Sequence, residues 1–353
     1  MAVVHIAVAV IIDAQNRALI SLRRKDTHQG GLWEFPGGKV EAGETIRQAL
    51  YRELHEELNI LIQSVRPLIT LSHDYNDKQV CLHVWKVQQY CCEAGVNLMS
   101  NQGAEGQAIK WLDVNKLDPD DFPAADKAII SVLKLPDRYL ISGEFSSLED
   151  FKKRLSHAIE QGVRLLQLRL KTSWVKANRQ RAQQVVEHGI TLACNTAVSL
   201  MLNIPDELRL AILDSAILAT TILEPAILSE AVSGHISGGI GLHFNSVQLN
   251  QLSVKRIQAY RQSRLKPVWL AASCHSQSDL QQAQTLGLDF AVLSPVKKTT
   301  SHPLAKPMGW STFRSLVEQS SIPVYALGGM SEKDIMLAQQ AGAQGIAGIS
   351  FGW

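Results

Sequence analysis

Apolar and polar positions along the chain change rhythm near residue 135. Before that point, apolar runs at 3–12 and 18–23 flank Asp13-Ala14-Gln15-Asn16-Arg17, a pattern that predicts a hairpin with a longer turn. Ile46, Ala49, Leu50, Leu54 and Leu58 recur at helical spacing and predict an amphipathic helix over 44–58. Strands are expected at 60–72 and 78–88, split by the turn-forming Asn76-Asp77, and again around Ile109 and Trp111. A helix from Pro123 to Leu133 closes this part, which has the antiparallel or mixed pattern of an α+β fold.

From Tyr139 onward, short apolar runs alternate with amphipathic stretches. The runs fall at 139–142, 164–169, 190–194, 239–244, 267–272, 289–294, 322–327 and 345–350. Eight strands with intervening helices predict an α/β fold of the (β/α)8 barrel type, with a doubly wound sheet as the alternative. The stretch 196–238 is long for one crossover, and Trp353 follows the eighth run at once, so a barrel lacking its last helix is expected. The domains are therefore read as 1–134 and 136–353, joined tightly at Leu135-Pro136-Asp137.

Composition adds exclusions. Apolar residues at 46% and charged residues at 19% are those of an ordinary globular protein, with enough chain for more than one core. A net charge of +2 announces no polymeric nucleic-acid partner. The run Val3–Ile12 is too short to span a bilayer and lacks the basic leader of a signal peptide, so no membrane partner is expected. Cys81, Cys91, Cys92, Cys194 and Cys274 form no CxxC pair, so neither a zinc site nor a disulfide framework is indicated. Reduced thiols fit a cytoplasmic protein best.

The sharpest local feature is Gly37-Gly38-Lys39-Val40-Glu41-Ala42-Gly43-Glu44 followed by Arg52-Glu53-Leu54-His55-Glu56-Glu57-Leu58-Asn59. On a helix, Glu53, Glu56 and Glu57 share one face. Three crowded carboxylates repel unless positive charge sits among them, and hard cations such as Mg2+ bind through carboxylates and substrate phosphates. Taken alone, such a run reads as a solvated acidic face paired with Arg47 and Arg52. The complete spacing, Gly38 to Glu44 to Arg52-Glu53-Leu54 to Glu56-Glu57, resembles the Nudix box. Asn59 stands where the box has glycine, and asparagine is the next best residue for a left-handed helix end.

Residues 1–134 resemble the MutT branch of that family, the 8-oxo-dGTP diphosphatases, at Ile6-Ala7-Val8, Arg23-Arg24, His28, Glu34-Phe35-Pro36-Gly37-Gly38-Lys39, Glu105-Gly106-Gln107 and Phe122-Pro123-Ala124-Ala125. The resemblance implies Mg2+ as cofactor, with Mn2+ able to substitute. It implies metal ligation by the Gly37 carbonyl and by Glu53, Glu56, Glu57 and Glu105, with Glu53 or Glu105 as the base. It further implies phosphate binding by Arg23, and a nucleotide bordered by His28 and the loop Glu34, Phe35, Pro36 and Gly37. Asp126 stands where the family uses an asparagine to read the purine edge; an ionised carboxylate only accepts hydrogen bonds, and the position also suits a helix N-cap.

Residues 136–353 resemble the thiamine phosphate synthase and thiazole tautomerase family of barrels, at Arg138-Tyr139-Leu140-Ile141, Gln167-Leu168-Arg169-Leu170-Lys171, Asn195, Gly241-Leu242-His243, Ser294-Pro295-Val296, Thr299-Thr300-Ser301, Gly328-Gly329 and Ile349-Ser350. Gly309 matches as well, and Gln167, Arg169, Lys171, Asn195, Thr299, Ser301, Gly329 and Ser350 are the residues this resemblance marks for ligand binding, with thiazole phosphate as the implied ligand. Thr196 and Gln248 replace the family's metal-binding aspartates, His302 its loop lysine and Pro295 the tautomerase histidine, which points to a barrel that binds but no longer catalyses. The expected activity is Mg2+-dependent conversion of 8-oxo-dGTP to 8-oxo-dGMP and pyrophosphate. The alternatives are the same chemistry on a thiamine-pathway diphosphate, or a bifunctional enzyme with an active barrel.

Overall fold

The computed structural model describes residues 3–26, 29–75, 79–213, 238–263, 267–299 and 305–353. The chain divides into two compact units, Met1–Leu135 with Glu318–Ile322, and Pro136–Val317 with Pro323–Trp353.

In the first unit, β1 (Val3–Val10), β4 (Gly37–Lys39), β5 (Ile60–Asp74) and β6 (Gln79–Cys92) form a mixed sheet in the order β4-β1-β6-β5. β2 (Arg17–Leu22), β3 (Trp33–Glu34) and β7 (Ile109–Asp113) form a second, antiparallel sheet in the order β3-β2-β7. The expected hairpin between the first two strands exists only at its turn, where Asp13 N–H donates to Arg17 O and Ile12 bridges Ala18. Beyond the turn β1 pairs in parallel with β6 while β2 joins the other sheet. Period-two alternation explains why both sides of β1 are apolar. Ala7, Ala9 and Ile11 pack with helix α1 (Ile46–Leu58), and Val8 and Val10 pack into a second core with Phe122, Ile129 and Ile130.

Thr45 begins α1 with a capping box to Gln48, and Asn59 ends it in the left-handed conformation at φ 51°. Ala49, Leu50, Leu54 and Leu58 are its buried residues, so the apolar stripe fixes which face turns outward with the glutamates. Helix α2 (Lys127–Lys134) starts four residues later than its sequence suggests, because Pro123–Asp126 is a turn in which Asp126 N–H donates to Pro123 O.

The second unit is a closed barrel of parallel strands, β8 (Arg138–Ile141), β9 (Leu165–Arg169), β10 (Ser199–Asn203), β11 (Ile240–Phe244), β12 (Leu270–Cys274), β13 (Phe290–Leu293), β14 (Val324–Leu327) and β15 (Gly345–Gly348). One expected strand was misplaced. Residues 190–194 end helix α5 (Arg179–Cys194), since Ala182, Val185, Val186, Gly189, Ile190 and Ala193 form one buried helical stripe. The strand itself is β10, inside the stretch that looked too long for a crossover; 214–237 of that stretch lie outside the described residues. The barrel interior is packed with side chains, with the rings of Tyr139, Phe290 and Tyr325 within 5.6 Å of one another, centre to centre. At the closing seam Gly345 runs so near β8 that a Cβ there would lie 1.9 Å from Asp137 O. No helix of the described residues is long and apolar enough to cross a membrane.

Candidate functional site

In the first unit, the face of α1 that carries Glu53, Glu56 and Glu57 meets Gly37 and Gly38 of strand β4. Glu57 Oε2 accepts from the Gly37 N–H at 3.1 Å. Gly38 lies against Glu53 so closely that a Cβ would sit 2.1 Å from its Oε1; only glycine admits the carboxylate there. Arg52 holds the outer side of the cluster, donating to Glu53 Oε1 (2.9 Å), Glu56 Oε2 (3.0 Å) and both oxygens of Glu44 (2.7 and 3.1 Å). The other arginine considered as a partner for this face, Arg47, instead donates to Tyr51 Oη.

Glu105, which the resemblance marks as a ligand or base, reaches the cluster through a loop anchored on the end of α1, and that anchoring is what the sequence reading lacked. Ala104 N–H and Gln107 Nε2 both donate to Glu57 O, at 2.8 and 2.9 Å, which satisfies a carbonyl at the end of α1. Gln107 Oε1 also accepts from the Glu105 N–H at 3.1 Å. The signal was the glutamine two places after Glu105, a side chain able to donate and accept at once.

Electrostatics mark the same place. Burial, then the nearby charge of Glu34, Glu53 and Glu105, pushes Glu57 up to about 8 against the pull of the Gly37 N–H. Burial also raises Glu53, opposed by Arg52 and aided by Glu56 and Glu105. Carboxylates so crowded that one keeps its proton fit a hard divalent cation with oxygen ligands. Glu53, Glu56, Glu57 and Glu105, with Gly37 of strand β4, are the residues that would hold it.

A cavity of about 310 Å³ opens beside this cluster, and Glu57 and Glu105 line it together with Arg23, Glu34, Phe35 and Asp126. Arg23 and Glu34 form an ion pair. Burial, opposed by Arg23, pushes Glu34 up to about 7. Asp126 sits at the N-cap position of α2 but makes no side-chain capping bond; it is 8% exposed and lines the cavity instead. Burial and the charge of Glu34 push it up to about 8. Pro36 braces the site from behind, its carbonyl accepting from the Ala9 N–H at 2.8 Å. His28 lies outside the described residues.

The barrel has its own cavity, of about 520 Å³, at the C-terminal ends of the strands. Gln167, Arg169, Lys171 and Thr299 line it, as expected residues brought together. Lys171 does so from the start of helix α4 (Thr172–Ala177), not from the strand. Asn195 is a correction: it caps α5 and donates to Thr191 O, at the end of the helix that precedes β10. Two other asparagines line the cavity: Asn203 at the end of β10, which donates to Gln167 Oε1 at 2.9 Å, and Asn245 just after β11. The displaced strand assignment caused the error. Gly329 adopts φ 66° where its Cβ would strike Lys298 O, and Ser350 Oγ donates to Met330 O. Ser301 and His302 lie outside the described residues.

Three groups behind or beside this cavity decide what it can do. His275, one residue past β12, lines it and pairs with Ser294 O at 2.9 Å; only its position at a strand end could have flagged it. His243 is fully buried between Tyr139 Oη and Ser273 Oγ, and burial with the charges of Arg169 and Arg209 drives it down to about 3, so it stays neutral. Asp206, a possible substitute metal carboxylate, is occupied by Arg209 (2.7 Å), Arg256 (2.9 Å) and Gln248 Nε2 (3.1 Å). Among the described residues lining the cavity the charged side chains are Arg169 and Lys171, and none is a carboxylate.

Comparison with known proteins gives both units a counterpart. The family described as NUDIX domain matches residues 7–132, and thiamine monophosphate synthase matches residues 138–351. The 8-oxo-dGTP diphosphatase of Escherichia coli K12 is 37% identical over 130 residues, which is 37% of this chain and 95% of that protein. The CTP pyrophosphohydrolase of the same organism is 35% identical over 121 residues, 33% of this chain and 84% of its own. A protein of Aquifex aeolicus, provisionally described as thiamine-phosphate synthase 2, is 30% identical over 219 residues, 62% of this chain and 98% of its own.

Proposed function

The chain belongs to the thiamine monophosphate synthase family through residues 138–351 and carries a NUDIX hydrolase domain over 7–132, and from that premise we propose an Mg2+-dependent nucleoside triphosphate pyrophosphohydrolase that prefers 8-oxo-dGTP. The observation that carries the proposal is one cavity lined by Glu57 and Glu105 of the carboxylate cluster together with Arg23, Glu34 and Asp126, with Glu53 of the same cluster packed against Gly38 at its edge. Mg2+, when bound, neutralises the triphosphate and the acidic cluster. Gly38 leaves room for the Glu53 carboxylate, Arg52 fixes its outer oxygen, and Glu53 or Glu105 takes the proton from the attacking water. Arg23 counters phosphate charge beside Glu34, and Phe35 and Asp126 line the base end. The products are 8-oxo-dGMP and pyrophosphate, and the role is sanitation of the nucleotide pool of a cytoplasm. The barrel's cavity would take a small phosphorylated ligand such as thiazole phosphate.

The test is turnover of the full chain with Mg2+ on 8-oxo-dGTP, dGTP, CTP and thiamine diphosphate. The highest kcat/KM is expected on 8-oxo-dGTP; preference for CTP or thiamine diphosphate would overturn the substrate assignment. Glu53→Gln and Glu57→Gln should each lower turnover about a hundredfold or more with the fold retained. Near-wild-type rates at saturating Mg2+ would remove these residues from the metal site.

A further inference from the structure

Behind the nucleotide cavity the sheet carries a second donor cluster of different chemistry. β1 and β6 run parallel with His5 opposite Cys81 and Ala7 opposite His83, so the side chains of His5, Cys81 and His83 share one face. His5 Nδ1 lies 3.0 Å from His83 Nε2, and Cys81 Sγ lies 3.5 Å from that same nitrogen. One ligand atom from each residue falls within 4.8 Å of the other two. With Zn–N near 2.05 Å and Zn–S near 2.3 Å, neighbouring donors of a tetrahedral site stand roughly 3.3–3.6 Å apart. The cluster therefore needs adjustments of well under a side chain's length to take an ion. Two imidazole nitrogens this close cannot both carry a proton, so at least one lone pair already faces the cluster.

We infer that His5, Cys81 and His83 form a binding site for a borderline-soft divalent ion of the Zn2+ type, separate from the carboxylate cluster. Imidazole and thiolate favour Zn2+ over Mg2+, whereas the glutamates favour the reverse, so the two sites sort ions by donor type. His5 is exposed, so the cluster meets solvent at its edge. No spacing motif marks the three donors, which come from two strands more than seventy residues apart. The consequence is mechanical. Ile6 and Val8 of β1, with Val80 and Leu82 of β6, line the nucleotide cavity from the opposite face of the same strands. His5 O also accepts from Val40 N–H at 2.9 Å, just past β4. An ion held here ties β1 to β6 behind the cavity wall.

Co2+ reports such a site directly, since a bound thiolate gives a near-ultraviolet charge-transfer band that carboxylates cannot. The full chain, reduced and in saturating Mg2+, is titrated with Co2+ and then Zn2+. One equivalent of Co2+ should raise the band, Zn2+ should abolish it, and Zn2+ should raise the unfolding temperature. Cys81→Ser should lose the band, and His83→Gln should weaken Co2+ binding at least about tenfold. No band in the wild-type protein would overturn the inference. A band that survives in Cys81→Ser would also overturn it, assigning the ion to another cysteine such as the exposed Cys91 or Cys92. If circular dichroism shows Cys81→Ser unfolded, calorimetric Zn2+ titration of His5→Gln and His83→Gln decides, and unchanged affinity in both would overturn the site.

Discussion

Asp126 is a carboxyl whose behaviour is set by where it is buried. Its position was legible in the sequence, but an ionised acceptor was expected there, and burial beside Glu34 instead holds its proton to about pH 8. A protonated carboxyl donates as an asparagine amide does. Preference for 8-oxo-dGTP over dGTP should therefore fall as pH rises through about 8, while Asp126→Asn should keep it flat; equal pH profiles would leave Asp126 no part in reading the base. The linkage has a definite sign. Between the ordinary value of 3.8 and about 8 the folded state holds a proton that the unfolded state has released, so this group lowers stability as pH rises through that window. Asp126→Asn should flatten the fall, read as unfolding temperature against pH. Gly38 offers a second test at this scale. In Gly38→Ala the atoms nearest the new Cβ would be those of the Glu53 carboxylate, a flexible side-chain end, so turnover should drop about a hundredfold with little change in unfolding temperature. Glu57 must lose a proton held to about 8 before it can ligate, so the apparent affinity for Mg2+ should rise with pH up to that point.

Elements are legible when their periodicity is strong and their ends are marked. Helix α1 meets both conditions: its buried stripe is the one the spacing names, Thr45 and Gln48 cap one end, and Asn59 closes the other in the left-handed region. Asn59→Ala should lower stability by about 1 kcal/mol and Asn59→Gly should not, as read by chemical denaturation, because only the alanine Cβ opposes that backbone. Elements were misread where a short apolar run fits two periods. Ile190–Cys194 looks like a strand when taken alone and is helical only in the register of Ala182 to Gly189. The first hairpin failed for another reason. Local pattern predicts the turn at Asp13–Arg17, but pairing of β1 with β6 is a long-range choice that no local signal contains. The loop carrying Glu105 was found by resemblance, whereas its anchoring through Gln107 on the end of α1 became visible only in three dimensions.

At the scale of the whole molecule, the two units differ in what their cavities can neutralise. The first gathers carboxylates that call for a cation; the second presents Arg169 and Lys171 with no lining carboxylate among the described residues. A synthase that expels pyrophosphate needs charge stabilisation, normally from a metal held by acids. Here the carboxylate beside the cavity, Asp206, already has Gln248 and two arginines as partners. His243, a conceivable proton carrier, is neutral down to about pH 3 and enclosed by Tyr139 and Ser273. The cavity is thus equipped to bind an anion and poorly equipped to drive pyrophosphate loss. Calorimetric titration of the full chain should detect thiazole phosphate, and Arg169→Ala should weaken it about tenfold, the worth of one charge-assisted contact. Incubation with thiazole phosphate, the pyrimidine diphosphate and Mg2+ should yield no thiamine phosphate. Robust product formation would overturn this reading, and loss of the activity in Asp206→Asn would then show that Asp206 leaves its arginines to hold a metal.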